Sequence, residues 1–116
     1  MLRPAAILLL LAPAAWADSP RVLDVTARQA GGAWTFDVTV AHADTGWEHY
    51  ADAWEVAGPD GAVYGRRDLA HPHVSEQPFT RSLSGIVLPA GVNEVRVRAH
   101  DSVHGWGAPV SVTLPR

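Results

Sequence analysis

The sequence predicts an all-β protein, a seven-stranded antiparallel β-sandwich, on three observations. Beyond the first seventeen residues, apolar side chains recur at every second position and nowhere at the three- and four-residue spacing of a helix. Glycine, proline and aspartate clusters interrupt this alternation at roughly eight- to twelve-residue intervals, the turn rhythm of a sandwich. About a hundred residues then remain, enough for one core and too few for two.

Leu23, Val25 and Ala27 alternate with Asp24, Thr26 and Arg28 as a first strand, and Ala30-Gly31-Gly32 turns the chain. Trp34, Phe36, Val38 and Val40 give the inward face of a second strand, which ends at His42. The turn-rich segment Ala43 to Trp47 leads to a third strand, Glu48 to Ala57. In it Tyr50, Asp52, Trp54 and Val56 share the inward face, and His49, Ala51, Ala53 and Glu55 the outward one. Gly58-Pro59-Asp60-Gly61 is a strong turn signal. A fourth strand from Ala62 to Leu69 and a fifth from Phe79 to Leu88 flank the loop LAHPHVSEQPFTR, and Gly85 marks a bulge. Val95, Val97 and Ala99 point inward on a sixth strand, with Arg96, Arg98 and His100 outward. Asp101 to Gly107 is a loop, and Val110, Val112 and Leu114 belong to the seventh strand.

At the N-terminus, Arg3 precedes an apolar run from Ala5 to Ala12 and an Ala15-Trp16-Ala17 site. This order reads as a secretory signal peptide, residues 1–17, cleaved after Ala17 to leave a domain over 18–116 that is periplasmic or secreted. The apolar run falls short of the roughly 20 residues needed to span a bilayer, so no membrane insertion is expected. The mature chain carries eight arginines, no lysine and twelve acids. A net negative charge disfavours nucleic acid as a partner. With no cysteine in the chain, thiolate metal sites and disulfides are excluded, and any metal must be held by histidine and carboxylate.

The chain resembles a fibronectin type III or related immunoglobulin-like domain, carried by the strand count, by Trp54 on the third strand and by the ending EVRVRAHDSVHGWGAPVSVTL. The resemblance spans the mature chain and implies a sandwich presenting loops at its ends. The stretches HPHVSEQPFTRSLSG and DSVHGWG also resemble those of small uncharacterised exported bacterial proteins, a likeness that brings no activity with it.

Antiparallel strands alternate in direction, so the connections after strands two, four and six share one pole. Those connections contain or adjoin all six histidines. His71 and His73, two apart in a loop stiffened by Pro72 and Pro78, can turn their imidazoles the same way and are the expected heart of a metal site. His49 and His100, both outward near one end of adjacent strands, and His104 are the expected remaining ligands. His42, inward at the top of its strand, is expected to seal the core.

Imidazole with carboxylate suits zinc or copper(II), and the expected function is an exported metal-binding module. The alternative is a non-enzymatic protein- or carbohydrate-binding module whose ligand surface is formed by Trp47, Trp106, Asp44, Asp101 and Glu76. No enzyme activity is expected. Ser75, Ser82 and Ser102 lack a nucleophile-elbow context, and water activation at an open metal position is the one catalytic route the residues leave available.

Overall fold

A computed structural model describes residues 19–115. The expected signal peptide and its cleavage site after Ala17 lie outside the described residues. Among the described residues the chain is all β, with eight strands. They are β1 (Arg21–Ala30), β2 (Ala33–Ala41), β3 (Ala51–Ala57), β4 (Val63–Asp68), β5 (Phe79–Ile86), β6 (Glu94–Asp101), β7 (Gly105–Trp106) and β8 (Val110–Thr113). No helix of the described residues is long and apolar enough to cross a membrane.

The strands form two antiparallel sheets, β1-β2-β5 and β4-β3-β6, the latter extended by β7 and β8, which both pair with β6. Between them lies a core whose largest fully buried side chains include Trp34, Phe36, Trp54 and Phe79. Alternation puts Trp34, Phe36, Val38 and Val40 inward on β2 and Val95, Val97 and Ala99 inward on β6. Burying each such side chain stabilises the fold by roughly 1.5–3 kcal/mol relative to leaving it exposed.

Four expectations are corrected. The count is eight strands, not seven, because the loop Asp101–Gly107 contains the short strand β7. Gly105 supplies its tight return at φ 86°, a left-handed conformation that disfavours a side chain. On β1, a register shift between Val22 and Asp24 puts Val22 in the core and leaves Leu23 51% exposed, the reverse of the alternation read from the sequence. On β3 the shift lies between Ala51 and Ala53. A bulge of this kind inserts one residue and resets parity, so Ala51 joins the core while Asp52 turns outward beside His100. Regular pairing on β3 begins at Ala51. Glu48 and His49 instead lie in a turn in which the Thr45 amide donates to the His49 carbonyl at 3.0 Å, and the His49 amide to Gly46 at 3.1 Å.

Gly107 is buried where the β7–β8 connection crosses the segment before β1, and an added Cβ there would overlap the Pro20 carbonyl oxygen. Gly107→Ala is expected to destabilise by about 1–3 kcal/mol, whereas Gly32→Ala, with nothing within 4 Å of the new Cβ, leaves the urea midpoint nearly unchanged. Equal midpoints for the two variants would show that Pro20 is not packed against this connection.

Candidate metal centre

Each inward series ends on a polar side chain at the same pole. On β6, Asp101 follows Val95, Val97 and Ala99 and is 0% exposed. On β2, His42 follows Val38 and Val40, and its side chain is 1% exposed. They meet across the top of the core, with His42 Nε2 3.1 Å from Asp101 Oδ2.

Asp101 builds its own turn. Its Oδ1 accepts from the amides of Val103 at 2.7 Å and His104 at 2.5 Å, the local side-chain-to-backbone bonding that aspartate favours in turns. That turn carries His104 back, so that its Nδ1 lies 3.2 Å from Oδ2. The turn before β3 delivers His49, whose Nε2 also lies 3.2 Å from Oδ2. The His49 ring stands edge-on between those of His42 and His104, with both centroid separations 4.9 Å. One carboxylate oxygen therefore faces three imidazole nitrogens. His42, His49 and Asp101 each offer one ligand atom within 4.8 Å of the other two. The ring is closed on the His42 side and open on the other, where the side chains of His49 and His104 are 22% and 29% exposed.

Burial alone would push the Asp101 carboxyl up. The backbone amides of His104 and Val103 and the side chains of His49 and His104 outweigh it and hold the group well below the usual carboxylate range. Asp101 is thus a fixed anion at the centre of the pole.

Asp44 supports this arrangement from behind. Its Oδ1 accepts from His42 Nδ1 at 2.5 Å and from the Ala51 amide at 3.0 Å, and its Oδ2 from the His73 amide at 2.7 Å. A ring that donates from Nδ1 to a carboxylate presents Nε2 as the ligand atom, the usual outer-shell support of a metal-binding histidine. Gln77 completes the frame, accepting from the His42 amide at 2.9 Å and donating to the His73 carbonyl at 2.9 Å.

The candidates named from sequence fall into three groups. His49, His104 and Asp101 lie together, joined by His42 and backed by Asp44. His71 and His73 sit beside this group without entering it. The His73 ring stacks on Phe79 at 3.9 Å and 10°, and its Nε2 accepts from Arg81 at 2.9 Å. Its Nδ1 is buried with no hydrogen-bond partner among the described residues. His71 is exposed, with Nδ1 donating to the Pro72 carbonyl at 3.1 Å, and Glu76 is exposed beside Arg81. His100 is separated from His49 by the β3 bulge: it lies on the outward face, with Nδ1 2.6 Å from Asp52 and its ring edge-on to Trp106. Trp106 lies under Arg98 at 4.3 Å, whereas Trp47 is 67% exposed with its ring 5.6 Å from that of Tyr50. His42, expected only to seal the core, does so and also supplies a potential ligand. The signal was legible as two inward series each ending on a polar residue.

No protein-family model matches the sequence. A relative from Halomicrobium mukohataei, described as "Putative lipoprotein", is 48% identical over 92 residues, which are 78% of this chain; the chain spans 45% of that relative's length. The fold is similar to a superoxide reductase in its oxidised state, with TM-score 0.54 and 17% identity over 86% of this chain and 92% of that one. It is also similar to a variant of the neelaredoxin-type superoxide reductase from Archaeoglobus fulgidus in its reduced form, with TM-score 0.52 and 19% identity over 91% of this chain and 97% of that one. These neighbours correct the fibronectin type III and immunoglobulin-like assignment: the fold is that of the superoxide reductases. The features that suggested otherwise, a buried tryptophan on the third strand and alternating final strands, belong to two-sheet packing in general.

Burial, the Arg81 guanidinium and His71 all lower the His73 pKa, so the folded state keeps this ring neutral. Its contribution to stability is complete above the unfolded value near 6.5 and is lost as pH falls through the lowered native value, because the unfolded chain then binds more protons. In metal-free protein, chemical denaturation at stepped pH is expected to show a shallower loss on acidification for His73→Gln than for wild type. Parallel curves would rule the effect out.

Proposed function

We propose that this chain is an exported metal-binding module in which His42, His49 and Asp101 hold a divalent transition-metal ion, with His104 as the donor at the solvent edge. The observation that carries the proposal is the crowding on Asp101. Its two oxygens face five nitrogens, whereas a carboxylate offers about four lone-pair sites. Both nitrogens of His42 face carboxylate oxygens, and a neutral imidazole has only one N–H. A metal ion among the three rings removes both conflicts, whereas a proton on His42 would supply its second N–H but leave Asp101 overcrowded. The 3.1–3.2 Å separations between ring nitrogens and Oδ2 match the spacing of adjacent donors about 2.1 Å from a common metal, and the ligand set, within 4.8 Å throughout, closes to about 4.2 Å or less when an ion binds.

Two histidines and one carboxylate are the donor set of non-haem iron(II) sites, while the imidazoles also suit zinc and copper(II). Iron(II) leads, since the fold neighbours are superoxide reductases described in oxidised and reduced states. Such an ion would supply a one-electron couple or a Lewis acid. The residues do the rest: Asp101 provides fixed negative charge, Asp44 orients His42, and the half-exposed His49 and His104 leave an approach for a small solute. The amino-terminal leader and the relative's description as a lipoprotein support export to the cell envelope.

Titration with iron(II) under anaerobic conditions, zinc and copper(II) tests the site. One equivalent is expected to bind, and metal at 100 times its Kd raises stability by roughly 2.7 kcal/mol. His49→Ala, at a part-exposed ligand, should abolish that shift with little change in the metal-free melting temperature, whereas the His71→Ala, His73→Ala pair should retain it. The converse result would move the site to the stiff loop. Superoxide consumption by the iron-loaded protein then tests whether the fold likeness extends to activity.

Asp44→Asn is expected to weaken binding about 10- to 100-fold, since asparagine has one oxygen and cannot accept from both His42 and the His73 amide. Unchanged affinity would remove Asp44 from the site. A second reading, a protein or carbohydrate partner, is supported by the 67% exposure of Trp47; loss of partner retention in Trp47→Ala with metal binding intact would favour it.

A further inference from the structure

The outward face of the β4-β3-β6 sheet carries a second cluster of charge, at the far end of β3 from the metal centre. Cross-strand pairing sets Glu55 between Arg66 on β4 and Arg98 on β6, and Ala57 opposite Arg96. Glu55 is only 4% exposed, and Arg98 Nε donates to it at 2.7 Å. Arg98 also lies over the Trp106 ring, which fixes its plane. Arg96, two residues earlier on the same outward face, has no acidic partner among the described residues.

Beside these arginines is a hollow of about 190 Å³ lined by Glu55, Arg96 and Arg98 and by small residues of the turn after β3 and of the β7–β8 connection. Apart from Glu55 and the arginines, its walls are glycine, alanine and proline, with the Tyr64 hydroxyl and the Asp60 carboxylate beside Gly58. Asp60, on the same turn, directs its carboxylate to the Ala62 amide at 3.1 Å. Arg98 and Glu55 neutralise each other, so the hollow retains the charge of Arg96 and the terminal nitrogens of two planar guanidinium forks. That chemistry suits an oxyanion, which such forks engage through paired hydrogen bonds.

We propose that this hollow binds a small solute through a carboxylate or phosphate group held between Arg96 and Arg98. The site is independent of the metal centre. Calorimetric titration of the mature protein in EDTA with inorganic phosphate, and separately with succinate, should give one saturable site, observable also through Trp106 fluorescence. Saturation by phosphate alone assigns a phosphate group, by succinate alone a carboxylate, and by both the shared oxyanion chemistry. Arg96→Ala, at an exposed position, should weaken binding at least tenfold. Arg21→Ala removes an equal charge from the other sheet and should leave affinity unchanged. Absence of saturation with either anion, or equal losses in the two variants, would overturn the proposal.

Discussion

The pole of this molecule depends on one buried carboxylate. Asp101 is fully enclosed, and an ionised group in such a place persists only if hydrogen bonds or cations replace the water it has lost. The hydrogen bonds that its Oδ1 accepts from two backbone amides form the turn that returns the chain as β7, and its other oxygen gathers three imidazoles. The loop, the extra strand and the histidine ring thus share one cause. Removing the carboxylate would leave the turn without its acceptor and three ring nitrogens without a common centre.

Asp44 extends that constraint to the rest of the pole. It bonds to the end of β2 through His42, to the start of β3 through Ala51, and to the long β4–β5 loop through His73. The stiff HPH segment is tied into this frame through the His73 amide. Its backbone closes the pole, its second ring stacks on Phe79, and Arg81 occupies that ring's Nε2 while its Nδ1 is buried. Proline, which suggested a preset clamp, here presets a lid whose polar contacts run inward through main chain.

Much of the fold was legible because alternation on β2 and β6 is uninterrupted: Trp34 to Val40 and Val95 to Ala99 fall inward as period two requires. The same rule, carried one step past the last apolar residue, reaches His42 and Asp101, the two buried polar groups that meet at the pole. Alternation failed at the bulges. One extra residue between Ala51 and Ala53 reverses every parity before it, and no glycine or proline marks the position. Extrapolation across the bulge put His49 beside His100, whereas the folded chain sends one to Asp101 and the other to Asp52. Tertiary packing, not local propensity, chose where the extra residue went.

The outward partners on β3 and β6 suggest why the bulge sits there. Ala53 is 0% exposed yet lies outside the core cluster, so it is covered from the outward side. On that face Trp106 meets Arg98 and Arg66 at 4.3 and 5.7 Å and the His100 ring at 4.8 Å. A large side chain at the Ala53 position would compete with the tryptophan for this space. Ala53 keeps its outward place with or without the bulge; what the bulge adds is Asp52 on the same side, alongside His100. Trp106 and His104 stand two residues apart in the same short return, and one grips the outward face of the sheet while the other faces Asp101 at the pole. The aromatic ring thus anchors the segment that carries His104, which keeps the imidazole close to Asp101 while leaving it accessible.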